Sequence, residues 1–145
     1  MRRREAGFTL VELIVTILIV AVLAWIGAAN YAAMQKRARE ASLKANMHTF
    51  QLAAEDFGLL NGAYSSRADS VAPLLPRAGA DFRNPFTKRA GRDDAWCDQP
   101  AWRTPLSSGV ASAGIVAYGD SACARYQIVG RGASGDLPLR YTSGD

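Results

Sequence analysis

The chain is almost wholly apolar from Phe8 to Ala29, and Glu12 is the only charge in that run. Such a run has no amphipathic period, so it predicts a helix that is apolar on every side. It would be roughly 33 Å long, against about 30 Å for the hydrocarbon core of a bilayer. The pattern changes at Asn30. Lys36, Arg37, Arg39, Glu40 and Lys44 stud an Ala-rich stretch, and Leu43, Met47, Phe50, Ala54 and Phe57 then recur at alternating four- and three-residue steps. That spacing predicts one apolar stripe on a helix that must lie against something apolar. Asn61-Gly62 supplies residues suited to the left-handed conformation that ends helices. A single helix from Phe8 to about Leu60 would span roughly 80 Å.

Beyond the helix the pattern breaks up. Pro73, Pro76, Pro85, Pro100 and Pro105 punctuate a loop-rich stretch, with short helical turns expected near 70–75. Asn84-Pro85-Phe86 reads as an extended turn, placing Phe82 and Phe86 against the head. Two β-rich runs follow, 114–118 and 125–129. Gly119-Asp120-Ser121-Ala122 between them predicts an antiparallel hairpin, and 137–141 adds a third strand. The expected fold class is α+β: a long N-terminal helix, half of it membrane-spanning and half amphipathic, packed on a small antiparallel sheet. Gly130-Arg131-Gly132-Ala133-Ser134-Gly135 matches G-x-G-x-x-G. A dinucleotide site also needs a helix opening at those glycines, and Asp136-Leu137-Pro138 provides none, so a surface turn is expected.

Charge sharpens the reading of the apolar run. Arg2, Arg3 and Arg4 precede it, and basic flanks stay on the cytoplasmic side, which places the N-terminus inside and the head outside. A carboxylate within such a segment costs a few kcal/mol, so Glu12 calls for a partner. The run holds no Lys, Arg or His that could serve. The need for a partner from elsewhere points toward assembly.

Arg2-Arg3-Arg4-Glu5-Ala6-Gly7 followed by Phe8-Thr9-Leu10-Val11-Glu12-Leu13 resembles the class III signal of type IV pilins and type II secretion pseudopilins. The resemblance covers about the first 30 residues and, through the shared long helix, reaches to about residue 60. It implies cleavage by a prepilin peptidase between Gly7 and Phe8, N-methylation of Phe8, and a pairing role for Glu12. It also implies identical or related pilin subunits in a helical filament, an inner-membrane assembly platform with its ATPase, and membrane lipid as the environment before assembly. The expected organisation is a basic leader over 1–7, a transmembrane and assembly helix over 8–29, its amphipathic continuation over 30–61, and a globular head over 62–145. Cutting after Gly7 frees an α-amino group of pKa near 8, a natural counter-charge for Glu12 in the same or an adjacent subunit. Stranding one member of such a pair costs about 3–5 kcal/mol, so the pair acts as a register device. Many pilins carry Pro and Gly at the positions of Ala29 and Ala21. Alanine favours an unbroken helix there, with Gly27 as the one soft spot.

The implied function is a structural filament subunit, with no catalytic residues and no cofactor. The alternative is a single-span, membrane-anchored binding domain on the far side of the membrane that never polymerises. A head of roughly 85 residues has a small core, and an exported one meets an oxidising compartment, so a Cys97–Cys123 disulfide is expected. Closing that loop of about 25 residues would stabilise by roughly 3 kcal/mol on the chain-entropy account. His48 is the only histidine, which leaves no Ser-His-Asp or multi-His constellation. It neighbours the apolar stripe as a boundary residue. Acidic loops bind Ca²⁺ in some pseudopilin heads, but Asp93, Asp94 and Asp98 match no defined spacing, so no metal site is expected. Lys and Arg number 17 against 13 acids, and 14 against 12 once residues 1–7 are set aside. Arg83, Lys88, Arg89 and Arg92 form the one modest basic cluster. Nucleic acid wants a more concentrated patch and is not an expected partner.

Overall fold

The computed structural model describes residues 7–99, 106 and 112–143. The leader residues Arg2–Glu5 lie outside the described residues, as do Pro100 and Pro105. Helix α1 runs through Leu10–Asn61 without interruption, as the alanines at its centre favour. The chain divides into two compact units, Met1–Lys36 and Arg37–Asp145. The first contributes the apolar part of α1, whose large side chains from Leu10 to Ile26 are all exposed.

The second unit is built on the predicted stripe. Leu43, Met47, Phe50 and Ala54 are buried, Phe57 packs at the edge of the same core, and Ala53 widens the stripe. The helix ends as its last residues dictate. The Gly62 N–H donates to the Gly58 carbonyl at 2.8 Å with a φ of 71°, and Asn61 Nδ2 donates to the Phe57 carbonyl at 2.9 Å. Beyond it come a one-turn helix α2, Ala68–Val71, and two 3₁₀ turns at Ala72–Leu74 and Pro76–Gly79. The Asp98 carboxylate accepts from the Ala68 N–H at 2.7 Å and so caps α2.

Four strands form one sheet in the order β1 Trp96–Asp98, β2 Val116–Ser121, β3 Arg125–Gly132 and β4 Gly135–Thr142. Strands β2, β3 and β4 are the three expected from sequence, paired antiparallel. The sheet is nevertheless mixed. Strand β1 pairs parallel to β2, with Trp96 opposite Val116. Parallel neighbours need a crossover of a dozen or more residues, and the chain from Gln99 to Ile115 supplies it. Alternation along the strands sorts the side chains into two layers. Trp96, Val116, Tyr118, Tyr126 and Ile128 join the core of α1, while Cys97, Ile115, Ala117, Val129 and Leu106 cluster on the opposite face.

Three expectations need correction. The β2–β3 turn lies later than its glycine suggested. Strand β2 continues to Ser121, and Ala122 and Cys123 take φ values of 54° and 59°, held by the Cys123 N–H donating to Asp120 Oδ2 at 2.9 Å. A carboxylate does there what glycine was expected to do. In the G-x-G-x-x-G stretch only Ala133 and Ser134 form the turn. Gly130 lies inside β3, where a Cβ would come within 2.5 Å of Met47 Sδ, so its lack of a side chain lets the strand lie close to the helix. Finally, Cys97 and Cys123 are both free. Cys97 faces Ala117, whereas Cys123 lies in the turn beyond Ser121. Four residues of strand, roughly 13 Å, already separate Ala117 from Ser121, and a disulfide needs Cα atoms within about 7 Å.

Candidate assembly site

Gly7, Phe8 and Thr9 precede α1 in irregular backbone. Thr9 is the residue before the first turn, and its Oγ1 accepts from the Glu12 N–H at a long 3.3 Å. Thr9-x-x-Glu12 thus spells a capping box, with Glu12 at the third helical position, where its charge also suits the positive helix end. This cap is a signal carried by the sequence itself. The Leu13 N–H donates to the Thr9 carbonyl at 3.2 Å and closes the first turn. Phe8 is 71% exposed, and Glu12 is exposed as well. Helix α1 is long and apolar enough to cross a membrane, with a mean hydropathy of 2.7 over its most apolar window. Four residues separate Phe8 from Glu12, about one turn, so an amine at Phe8 and the Glu12 carboxylate would fall at the same end of the helix.

Arginines and aspartates of the head pair among themselves. Among the described residues no group of three or more His, Cys, Asp and Glu could hold a metal. Arg92 pairs with Asp69 and with Asp98 at 2.8 Å, and its guanidinium is held more firmly protonated first by the Asp69 hydrogen bond, then by the charges of Asp98 and Asp69. Arg89 lies 4.0 Å from Asp94, and Arg83 donates to the Lys88 carbonyl at 3.2 Å. Asp93, Asp94 and Asp98 are therefore answered by arginines, and Arg83, Arg89 and Arg92 of the basic cluster are engaged with them and with the backbone. His48 is exposed and 3.2 Å from Gln51, its ring 5.9 Å from that of Tyr141.

Two polar hubs were missed in the sequence. Asn84 is fully buried. Its Nδ2 donates to the carbonyls of Asp94 at 2.8 Å and Ala113 at 2.9 Å, and its Oδ1 accepts from the N–H groups of Phe86 at 2.8 Å and Thr87 at 3.2 Å. It thereby fixes the predicted Asn84-Pro85-Phe86 turn, with Phe82 buried in the core and Phe86 half-buried under Arg39. The second hub is Glu55 on α1, whose carboxylate accepts from Tyr64 Oη at 3.0 Å and Tyr126 Oη at 2.5 Å.

Burial holds the Tyr118 and Tyr126 phenols protonated well above their ordinary range, and for Tyr126 the Glu55 hydrogen bond and charge add to it. Burial likewise pushes the Cys97 thiol up to about 11, assisted by Asp93 and Asp98. In the unfolded chain these groups ionise near their reference values of about 8.5 for Cys and about 10 for Tyr. Above that range the folded state binds more protons than the unfolded one, so stability falls as pH rises. Urea midpoints should be level up to about pH 8.5 and decline from there, more steeply above about pH 10. A flat profile through pH 11 would contradict this account.

A family model described as the prokaryotic N-terminal methylation motif matches residues 2–28. The chain therefore carries the N-terminal signature of type IV pilins and pseudopilins, on an α+β fold with a long N-terminal helix. No curated protein and no solved structure matches the chain. The methylation motif and the long apolar helix together support a pilin-like precursor anchored in a membrane by one span.

Proposed function

We propose that the chain is a prepilin, cut between Gly7 and Phe8 and methylated on Phe8, whose mature form is a structural subunit of a type IV pilus-like or type II secretion pseudopilus filament. Its part in that filament is mechanical, not catalytic. The observation that carries this reading is the methylation motif over residues 2–28, standing on a helix whose large apolar side chains from Leu10 to Ile26 are exposed among the described residues. Before assembly lipid covers them, with the N-terminus cytoplasmic and the head on the far side. A prepilin peptidase, an assembly platform and its ATPase then exchange lipid contact for contact with neighbouring helices. Lateral association in lipid rests on packing and on polar pairs, since lipid tails are as apolar as the helix. Glu12 with the Phe8 amine of a neighbour supplies such a pair.

Mass spectrometry of the chain recovered from its native membrane tests the processing step. The expected N-terminus is methylated Phe8. Recovery of only intact Met1 chains would overturn the proposal.

A further inference from the structure

The C-terminal end of α1 opens into a cavity of about 200 Å³ lined by Glu55, Gly58, Leu59, Gly62, Ala63 and Tyr64. Several features of this cavity ask for positive charge. Glu55 is half-buried, and the ion pairs of the described residues leave it without a cation. Two phenols occupy one lone pair on each carboxylate oxygen, and a carboxylate has about four such positions, so acceptor capacity remains. The cavity lies at the negative end of the helix dipole, and the last turn of α1 holds no basic residue. Leu59, 85% exposed, offers an apolar wall for an aliphatic stem. The cavity has room for several waters, or for an ammonium or guanidinium head with part of its chain.

The geometry points to a receptor for a basic side chain of another protein: the head of a lysine or arginine meets Glu55, with its stem against Leu59 and Tyr64. A divalent cation fits the donor set less well. Ca²⁺ takes six to eight oxygen ligands, whereas Glu55 is the single carboxylate lining the cavity and both of its oxygens already accept from phenols. One wall of the pocket is held in place. Tyr64 is anchored through its N–H to the Cys123 carbonyl at 3.0 Å, and its ring fills the space a side chain at Gly58 would need. This inference concerns the head alone and stands whether or not the N-terminus is processed.

The test is an NMR titration of the full chain in detergent micelles with Nα-acetyl-lysine methylamide and Nα-acetyl-arginine methylamide. The uncharged comparison is Nα-acetyl-norleucine methylamide. The expected result is a saturable shift of the Gly58, Gly62, Ala63 and Tyr64 amides with a basic probe and none with norleucine. Glu55→Gln keeps the shape of the site and should weaken the basic probes about tenfold or more. Norleucine is tried on the parent chain, so the charge requirement is read even if that variant misfolds. Equal shifts with norleucine, or no saturable shift with either basic probe, would overturn the inference. Carbodiimide coupling of the purified chain then tests one source: Glu55 joined to a lysine of a second copy identifies that copy.

Discussion

Replacing Asn84 with alanine is expected to cost the head about 3–5 kcal/mol, enough to unfold much of it at temperatures the parent survives. The side chain is fully buried and all four of its hydrogen bonds go to backbone groups of three separate stretches: 86–87, Asp94 and Ala113. Alanine would leave two carbonyls and two N–H groups without that partner. A buried group stranded in this way costs about 1–3 kcal/mol, and water reaching the vacated space recovers part of the sum. Gly114→Ala should injure the same hub by another route. Gly114 has a φ of 93°, and a methyl there would overlap the Asn84 amide oxygen and crowd the Phe86 ring. Urea unfolding of the full chain in detergent, followed by tyrosine and tryptophan fluorescence, measures both. A loss below about 1 kcal/mol for Asn84→Ala would mean that the loop is held by something else.

The contrast between what was legible and what was not follows from range. Helix α1 and its buried face were legible because their signal repeats: an apolar run longer than a bilayer, then a stripe returning every three or four residues. Strands β2 and β3 were legible because β-branched and aromatic residues flank a turn in each, whereas β4 offers only Tyr141 and Thr142 after a second turn. Strand β1 has three residues and is defined by a parallel partner roughly twenty positions along the chain, so no local pattern announces it. The same holds for Asn84. Asn-Pro-Phe reads as a turn, yet nothing nearby says that its amide will meet the carbonyl of Ala113. The cysteines show the cost of arguing from composition alone. Two thiols in an exported head suggest a bridge, and only strand register shows that they lie too far apart. Glu55 was missed for the same reason: the two phenols that grip it come from residues 64 and 126.

For the proposed assembly site, Glu12→Ala should abolish filaments while leaving cleavage at Gly7–Phe8 and methylation in place. The cap that starts α1 uses the Glu12 backbone N–H and the Thr9 hydroxyl, neither of which the substitution removes. The substitution also removes the carboxylate's favourable place at the positive helix end, worth about 0.3–1 kcal/mol, which is small beside the pairing loss argued next. What disappears is the one carboxylate of the apolar segment, and with it the counter-charge for the Phe8 amine. A stranded charge in apolar surroundings costs about 3–5 kcal/mol, which at 1.4 kcal/mol per factor of ten weakens each subunit contact by about two to three orders of magnitude or more. Glu12→Gln separates charge from shape, since glutamine fills the same space and still forms hydrogen bonds. If charge pairing sets the register, it too should fail. Sheared filaments quantified against methylated Phe8 chain in the membrane provide the measurement. Parental filament yield from Glu12→Ala would remove the register role and leave the chain as a solitary anchor bearing a head.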